Sequence, residues 1–511
     1  MEYSPTWAVY ATSALLALLT LLLLLERTLR RQSHPPRLPP GPRPWPIIGN
    51  VNHIGPLPHR SIASLSKSYG PIMSLRLGSL RVVVASSADM AKKFLTTHDI
   101  NFSSRPKTAA GKYTAYNFSD ITWSPYGPYW RQARKMCLLE LFNAKRLESY
   151  EYIRTEEIRS TAKKIAEMSG EPIRLRDPLW TQSLNVICRM VMGMSAEEEM
   201  SSVMSAEEFK EMLNELILLN GVLNVGDYVP WIDFLDLQGY AKRMQASSKR
   251  FDGFLEHVVE RHVEKMKVGL EEGKDMVDVL LGLAEDPSLE VQLNREGIKA
   301  FILDMLAGGT ETSTITVEWA ISELLKKPHI FKSATEELDR VIGRDRWVEE
   351  KDMPSLPYIN AIVKETMRMH PVVPMLIPRM SQHDCTVDGY DIPGGTVVLV
   401  NVWAIGRDPS LWDLPEEFRP ERFVGSSIDV KGHHFELLPF GAGRRMCPGY
   451  SLGLKVIQQS LGNLLHGFEW RLPEGVDVEE LNMEEIFGLS TPRKVPLVAV
   501  AEPRLPSHLY V

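Results

Sequence analysis

The chain has 511 residues, a length that fits several domains or one large domain, so length does not decide the domain count. Its composition is 44% hydrophobic, 24% charged and 8% aromatic, which excludes a disordered or fibrous chain. The 58 lysines and arginines against 65 aspartates and glutamates give a net charge of −7, so we expect no nucleic-acid partner. Four cysteines without a CxxC spacing exclude a disulfide framework and common zinc motifs, and indicate a reducing compartment.

The N-terminus carries an apolar segment over residues 7–25, without charge, glycine or proline. As a helix this segment would rise about 28 Å, close to the thickness of the hydrocarbon layer of a bilayer. Arg27, Arg30 and Arg31 follow it, and the positive-inside rule leaves the rest of the chain on the cytoplasmic side. We therefore predict a single-pass anchor with a basic flank over residues 1–34. A cleaved secretory signal is the alternative, which the length of the apolar run disfavours.

Residues 35–50 are rich in proline, which fixes the backbone φ angle and removes amide donors. The segment is predicted to be a stiff, extended hinge, and a ligand for a proline-recognition domain is the alternative. No repeat or second linker follows, so residues 51–511 are predicted to form one domain.

Within that domain, apolar residues at spacings of three and four predict mainly helical structure with a small β part. The predicted helices span residues 131–168, 206–219, 240–270, 294–326 and 330–343. The predicted strands span residues 72–77, 82–85, 396–400 and 495–500, and residues 224–239 are predicted to be a loop.

The helix at 294–326 has apolar residues on several faces, which predicts that it crosses the interior of the domain. Gly308 and Gly309 lie in its middle and are expected to loosen or bend it. Glu311 and Thr312 follow directly, so a buried polar pocket is predicted beside the glycines.

Near the C-terminus, Cys447 lies just before a predicted helix, between Gly443 and Gly449. Unpaired amide groups and the helix dipole stabilise a thiolate at a helix N-terminus. Most single cysteines are inert, but a thiolate framed by glycines, with Arg445 two residues upstream, is typical of an axial ligand of haem iron.

The spacing of Phe440, Gly443, Arg445, Cys447 and Gly449 resembles the haem-binding signature of the cytochrome P-450 family. Further motifs that resemble those of the family are Trp130-x-x-x-Arg134, Gly308-Gly309-Thr310-Glu311-Thr312-Ser313, Glu365-Thr366-Met367-Arg368 and Phe418-Arg419-Pro420-Glu421-Arg422-Phe423. The resemblance implies the family's fold: mainly α (α+β), with a long central helix, a small β region and an N-terminal transmembrane helix.

The resemblance also implies haem b, with its iron bound by Cys447, and a catalytic pair, Thr312 and Glu311, that delivers protons to O2. It assigns haem binding to Trp130, Arg134, Arg379, Phe440, Gly443, Arg445 and Gly449. Trp130 is expected to donate its indole N–H to the same haem propionate as Arg134. Buried charges of Glu365, Arg368 and Arg422 would form a structural network, although the E-x-x-R spacing ordinarily marks a weak surface pair.

By family position, the substrate pocket is assigned to Phe118, Phe301, Asp304, Met305, Val373, Met375, Leu376 and Phe487. Nearly all of these side chains are apolar, which favours a lipophilic small molecule over a charged one. Asp304 is expected to meet a substrate hydroxyl or to hold water.

The chain lacks a GxGxxG motif after a strand, and therefore a fused nicotinamide or flavin module of that type. The resemblance implies electrons from NADPH through NADPH–cytochrome P-450 reductase in the same lipid bilayer. It places the catalytic domain on the cytoplasmic face of the endoplasmic reticulum membrane.

The implied activity is a monooxygenase reaction. The proline-rich hinge and residues 307–309, 401–409 and 439–445 resemble the plant A-type group, to which flavonoid 3'-hydroxylases and homoterpene-forming enzymes belong. Residues 484–492 resemble the homoterpene-forming members, which favours a terpenoid alcohol as substrate. Hydroxylation of a flavonoid or phenylpropanoid on the same fold is the alternative. A non-oxygenating haem isomerase and a non-catalytic haem protein are alternatives of a different class, which the Glu311–Thr312 pair disfavours.

Overall fold

The computed structural model describes residues 37–196, 198, 204–268 and 275–511, together with residues 10, 13, 14, 17, 18, 20 and 21. Most of the predicted anchor at 7–25 and of its basic flank therefore lies outside the described residues. Among those that are described, none of the helices combines the length and apolar character needed to cross a membrane.

The body is mainly helical, as predicted. Its α-helices are Pro58–Tyr69, Ala88–Lys92, Ala109–Tyr113, Pro128–Met136, Ala144–Ser149, Glu151–Glu167, Arg176–Met192, Ala206–Gly221, Val225–Tyr228, Tyr240–Val268, Met276–Ala284, Arg295–Lys326, Pro328–Val341, Pro357–Met369, Val402–Ile405 and Tyr450–Gly467. Short 3-10 or π segments are Val51–His53, Lys93–Thr97, Cys137–Leu141, Pro230–Leu235, Glu350–Ser355, Pro420–Phe423, Gly443–Arg445, Val478–Glu480 and Ser507–Tyr510.

Two predictions of helix and loop need correction. The stretch predicted as one helix at 131–168 is divided by the π segment Cys137–Leu141, after which Asn143 starts a new helix by accepting a hydrogen bond from the Arg146 amide. The predicted loop at 224–239 contains the helical turns Val225–Tyr228 and Pro230–Leu235.

Nine short strands form the β part of the described chain. They are β1 (Ile72–Leu77), β2 (Leu80–Ala85), β3 (Pro172–Arg174), β4 (Arg379–Met380), β5 (Cys385–Val387), β6 (Tyr390–Ile392), β7 (Val397–Val400), β8 (Phe468–Arg471) and β9 (Val498–Pro503). The largest sheet has the order β1-β2-β7-β4, in which β2 and β7 run parallel. The other two sheets are β3-β9-β8 and the hairpin β5-β6.

The longest α-helix, Arg295–Lys326, is called the central helix below. It begins where the Asn294 side chain accepts a hydrogen bond from the Gly297 amide, and it packs against Arg176–Met192 and Tyr450–Gly467. The helix assignment runs through Gly308 and Gly309 without interruption, so the two glycines do not break the helix. Gly309 instead permits close packing, since a Cβ there would lie 2.3 Å from Ile187 Cδ1.

The buried apolar residues of the central helix belong to two different core clusters. Residues up to Leu306 pack with helices Ala206–Gly221 and Tyr240–Val268. Residues from Val317 onward pack with helix Pro357–Met369 and the second half of Tyr450–Gly467. The segment between the two clusters carries the glycines, Glu311 and Thr312, so the fold leaves the polar middle of the helix at their junction.

Candidate active site

A cavity of about 350 Å³ lies between the middle of the central helix and the loop that leads into helix Tyr450–Gly467. Gly308, Glu311 and Thr312 line it from the central helix, and Cys447 lines it from the loop. Gly308 is exposed between the partly buried Ala307 and Gly309, and a Cβ on it would meet no atom within 4 Å. The cavity therefore has the size and enclosure of a small-molecule or cofactor site.

The backbone of the loop before Cys447 is closed by its own hydrogen bonds. The Cys447 amide donates to the Phe440 carbonyl at 2.9 Å, and the Met446 amide donates to the Gly443 carbonyl at 3.1 Å. Gly443 has φ +68°, and a Cβ there would lie 1.9 Å from the Leu95 carbonyl oxygen, so only glycine fits. This local geometry presents Cys447 to the cavity just before the helix begins.

The surroundings of Cys447 suit a metal-bound sulfur. Burial raises the pKa of the Cys447 thiol, while a hydrogen bond with the Gly449 backbone and the charge of Arg134 act in the opposite direction. A buried thiol of this kind is a poor free nucleophile, but a coordinated metal ion deprotonates it outright.

Four arginines line the same cavity: Arg105, Arg134, Arg379 and Arg445. Burial, with the charge of Arg379 as the next cause, lowers the pKa of Arg445 to about 9. Burial likewise lowers the pKa of Arg379 to about 10 and shifts the pKa values of Arg105 and Arg134 downward. Within the described chain, only Arg379 among the four has a carboxylate partner, Asp99 at 3.0 Å.

The four guanidinium groups differ in the hydrogen bonds that they make at the cavity wall. Arg445 donates to the backbone carbonyls of Ser103 and Ser124 at 2.6 Å each. Arg105 donates to the Thr122 carbonyl at 2.9 Å and also bonds the backbone just before β4. The Arg134 side chain makes no hydrogen bond or ion pair with the described residues, so its charge lies at the cavity uncompensated. Sequence analysis missed Arg105, which stands in no motif.

These residues fit the haem that the resemblance implies. The buried arginine cluster has too few acidic partners, and such a cluster calls for anions such as the two propionates of haem. Cys447 supplies a thiol in the same cavity, and Gly308 leaves room on the side of the central helix. The expected role of Trp130 needs correction, because its indole N–H donates to the Ile121 carbonyl at 3.2 Å.

Phe440 and Gly449 flank the cysteine in the way their motif predicts. Both line the cavity. The Phe440 ring lies 6.2 Å from the Tyr450 ring, so it joins the loop to the first turn of the following helix. A Cβ on Gly449 would meet only Phe142 Cζ, at 3.8 Å, so packing does not require glycine there.

Thr312 and Glu311 are both engaged with protein groups. The Thr312 hydroxyl donates to the Gly308 carbonyl at 2.9 Å. Burial raises the pKa of Glu311, and its carboxylate accepts a hydrogen bond from the Ser490 hydroxyl at 2.5 Å. Ser490 is 179 residues away along the chain, and no local sequence signal points to it.

Half of the predicted pocket residues line the cavity: Asp304, Met305, Val373 and Leu376. The prediction needs correction for the other four, which are absent from its wall: Phe118, Phe301, Met375 and Phe487. The Phe118 ring lies against Gly111, and Phe487 stacks on His59 with ring centroids 5.9 Å apart. Phe301 is fully buried among the helices, and Met375 packs against the sheet that contains β1 and β2.

Asp304 lies at the cavity, but its oxygens are already bonded. It accepts hydrogen bonds from the Ile121 amide at 2.8 Å and from the Thr122 amide and hydroxyl at 3.3 and 3.2 Å. Burial raises its pKa to about 6, against the effect of these donors. Its place in the structure is therefore that of a tether for the loop at 120–124, and the expected contact with a substrate hydroxyl is not favoured.

The predicted charge network is present in the geometry. Arg368 donates from Nε and Nη2 to the two oxygens of the Glu365 carboxylate, at 2.7 and 2.8 Å, and Arg422 Nε donates to the same carboxylate at 3.1 Å. Glu365 and Arg368 are fully buried. The Arg419 amide also donates to Glu365 at 2.7 Å, so the network joins helix Pro357–Met369 to the segment that leads to the cysteine loop.

The family model described as cytochrome P-450 matches residues 39–498. Trimethyltridecatetraene synthase of Zea mays is 50% identical over 509 residues, with 94% of this chain and 91% of the relative covered. Flavonoid 3'-monooxygenase of Petunia hybrida is 43% identical, with 96% and 97% covered. A zebrafish cytochrome P-450 structure with abiraterone superposes with a TM-score of 0.73 at 27% identity, over 88% of this chain and all of that chain.

Proposed function

The chain belongs to the cytochrome P-450 family, and we propose that it is a membrane-anchored monooxygenase that oxidises a terpenoid alcohol. The family is one of oxygenases that hold haem iron on a cysteine thiolate and use O2 with electrons from a redox partner. The observation that carries the proposal is that Cys447, Glu311 and Thr312 line one cavity. We assign the redox partner to NADPH–cytochrome P-450 reductase.

Each residue then has a defined task. Cys447 holds the iron, and Arg105, Arg134, Arg379 and Arg445 neutralise the propionates. When bound, haem supplies the activation of O2. Thr312 holds a proton at its hydroxyl on the opposite wall. Glu311, whose pKa burial raises, takes up protons from the solvent side and passes them toward Thr312.

The polar groups of the cavity favour a substrate with few hydroxyls. The Asn220 side chain accepts from the Trp123 indole at 2.9 Å and donates to the Leu216 carbonyl at 2.8 Å. Thr114 is bonded to the Ala110 carbonyl at 2.8 Å. Because these groups already have partners, a polyhydroxylated ligand would find few free ones.

The substrate class rests on that wall and on two similarities. Met305, Val373, Leu376 and Leu489 give the cavity an apolar surface. The relative at 50% identity is named for a branched, unsaturated hydrocarbon product, which supports an acyclic terpenoid alcohol as substrate. Flavonoid hydroxylation is the second candidate, which the 43% identical relative supports.

The proposed membrane location of the protein rests on the sequence. Residues 1–34 anchor the protein in the endoplasmic reticulum membrane, and residues 35–50 connect this anchor to the catalytic domain at 51–511. Arg27, Arg30 and Arg31 support a cytoplasmic position for that domain.

Microsomes that contain the full chain and the reductase test the proposal. The probes are nerolidol, a tertiary terpene alcohol, naringenin, a flavonoid, and cinnamic acid, a phenylpropanoid. We expect product from nerolidol only with both NADPH and reductase. Hydroxylation of naringenin without reaction of nerolidol would instead establish the second candidate. Absence of NADPH-dependent O2 consumption with every probe would contradict a monooxygenase.

Thr312→Val tests the proton pathway within the same assay. The variant keeps the side-chain volume and loses the hydroxyl, so we expect product formation to fall by about 100-fold. O2 consumption should continue, with hydrogen peroxide as its product. Thr312→Ser restores a hydroxyl and is expected to recover much of the coupling, whereas full coupling in Thr312→Val would contradict the role of Thr312.

A further inference from the structure

The carboxylate of Glu311 has a single hydrogen-bond donor among the described residues, the hydroxyl of Ser490. Ser490 belongs to residues 484–493, which are called the C-terminal loop here. We propose that Ser490 is a positioning residue that holds the Glu311 carboxylate in the orientation from which it relays protons. This inference deepens the proposed function and rests on it, because it presumes the relay role of Glu311.

The backbone next to Ser490 is held from two sides. The Thr491 amide donates to the Val372 carbonyl at 2.9 Å, and the Thr491 carbonyl accepts from the Trp319 indole at 3.2 Å. Trp319 lies on the central helix, two turns beyond Glu311. Ser490 itself is buried. The loop is therefore tied to the same helix that carries the carboxylate.

The other end of the C-terminal loop is pinned by charge. The Glu485 carboxylate contacts His59 Nε2 at 2.8 Å and Arg60 Nε at 2.5 Å. The His59 side chain is fully buried, and the Phe487 ring stacks on it. Glu485 also forms a β-bridge with Arg493, which closes the loop. Because both ends are fixed without Glu311, the loop sets the place of the Ser490 hydroxyl, and the carboxylate follows it.

The single donor matters because a carboxylate with one bond has other orientations within reach. Arg176 lies close enough to lower the pKa of Glu311 by its charge, although its guanidinium bonds Glu318 and the Arg493 carbonyl. Without the Ser490 hydroxyl, no hydrogen bond from the described residues would oppose the attraction of the Glu311 carboxylate toward Arg176. Leu489, the neighbour of Ser490, lines the cavity, so the loop that holds the carboxylate also contacts the space for substrate.

Four variants of the full chain test this role: Ser490→Ala, Ser490→Thr, Thr491→Val and Glu311→Ala. Thr491→Val is the matched control, because the buried Thr491 hydroxyl has no partner within the described chain. The readouts are product formed per NADPH with nerolidol, hydrogen peroxide released, and the pH profile of this ratio. A second readout needs no turnover: urea unfolding of Ser490→Ala, Glu311→Ala and the double variant.

We expect Ser490→Ala to lower the product formed per NADPH by about tenfold, because the variant loses the side chain that orients Glu311. Ser490→Thr should restore it, and Thr491→Val should match the wild type. Because the lost donor had stabilised the ionised carboxylate, the pH profile of Ser490→Ala should move to higher pH. In urea, Ser490→Ala should lower the unfolding midpoint much less in the Glu311→Ala protein than in the wild type.

Three results would overturn the inference, and the first two differ in their consequence for the proposed function. If Ser490→Ala keeps the wild-type ratio and pH profile while Glu311→Ala loses coupling, Ser490 has no positioning role and the proposed function stands. If Glu311→Ala itself stays coupled, the relay in the proposed function fails together with the inference. Additive unfolding shifts would likewise contradict a direct Ser490–Glu311 interaction.

Discussion

Arg445 and Trp130 share one acceptor, the backbone carbonyl of Ile121. The Trp130 indole and an Arg445 guanidinium N–H each donate to this oxygen at 3.2 Å. The guanidinium carbon also lies 4.2 Å from the centroid of the Trp130 ring, within the range of a cation–π contact. The helix that carries Trp130 and the cysteine loop that carries Arg445 are thus joined at the edge of the cavity.

Arg445→Lys should loosen haem even though it keeps the charge. A lysine ammonium cannot reproduce the planar fork that bonds the Ser103, Ile121 and Ser124 carbonyls while lying flat on the indole. We expect haem to dissociate about tenfold faster, measured by transfer to an excess of apomyoglobin. Trp130→Phe, which keeps an aromatic ring beside the guanidinium and loses the indole donor, is the control with a smaller effect. An unchanged rate in Arg445→Lys would contradict the assignment to propionate binding.

Cys447→Ser should abolish the thiolate signature of the bound haem. The reduced carbon monoxide complex of a thiolate-ligated haem absorbs at about 450 nm, and an oxygen ligand does not reproduce this band. Cys385→Ser is the control, because Cys385 lies in β5, outside the cavity lining. Retention of the band in the Cys447→Ser protein would show that another residue binds the iron.

Glu365→Gln should destabilise the protein strongly because it leaves buried positive charge uncompensated. Removal of one member of a buried ion pair costs about 3–5 kcal/mol in the free energy of unfolding. The exposed Glu171, which has the same spacing to Arg174, provides the control, and its change to glutamine should alter stability by less than about 0.5 kcal/mol. Urea unfolding measures both. Equal effects of the two variants would contradict a structural role for the Glu365 network.

Glu485 should make stability sensitive to acid. The charges and hydrogen bonds of His59 and Arg60 outweigh burial and lower the pKa of Glu485 to about 2, from an ordinary 4.5. The stabilisation is therefore complete above about pH 4.5 and is lost as the pH falls toward 2. At one pH unit below 4.5, the free energy of unfolding should be about 1 kcal/mol lower than at pH 6 because of Glu485. Urea unfolding at the two pH values measures this difference.

Glu485→Gln should remove this part of the acid dependence and be less stable than the wild type at pH 6. Glu484→Gln is the matched control, since the neighbouring Glu484 is exposed and pairs only with the exposed Lys494 in the described chain. Parallel pH profiles for the wild type and Glu485→Gln would show that Glu485 is not a source of the acid dependence of stability.

The parts of the site that are continuous in sequence were predictable from it. The cysteine loop is built by neighbouring residues, and the need for glycine at position 443 follows from its positive φ. The pairing of Glu365 with Arg368 within one helix depends on helical spacing in the same way. That spacing does not suffice, because it also occurs at Glu151/Arg154 and Glu337/Arg340. There the Arg154 side chain bonds Glu350, and Glu337 accepts from the Tyr358 amide. A third partner, Arg422, distinguishes the buried pair.

Pocket residues were harder to predict because side-chain direction depends on neighbours far away in the chain. Phe118 has φ +66°, and its ring turns to Gly111, while Phe487 is drawn to His59 across more than 400 residues. Each is apolar and stands at the expected position, but apolarity does not say which core a ring enters. Arg105 was missed for the opposite reason, since it becomes a site residue only through backbone carbonyls that folding brings to it.

The amino-acid sequence by itself determined the family, the helical body and the cysteine loop, because these depend on spacing within short segments. Tertiary structure decided which groups meet at the cavity. It places the Ser490 hydroxyl on Glu311 and binds Asp304 to the loop at 120–124. It also gathers four arginines, of which only Arg379 has a carboxylate partner in the described chain. Such contacts arise where distant segments pack, and packing selects among side-chain directions that local sequence leaves equally open.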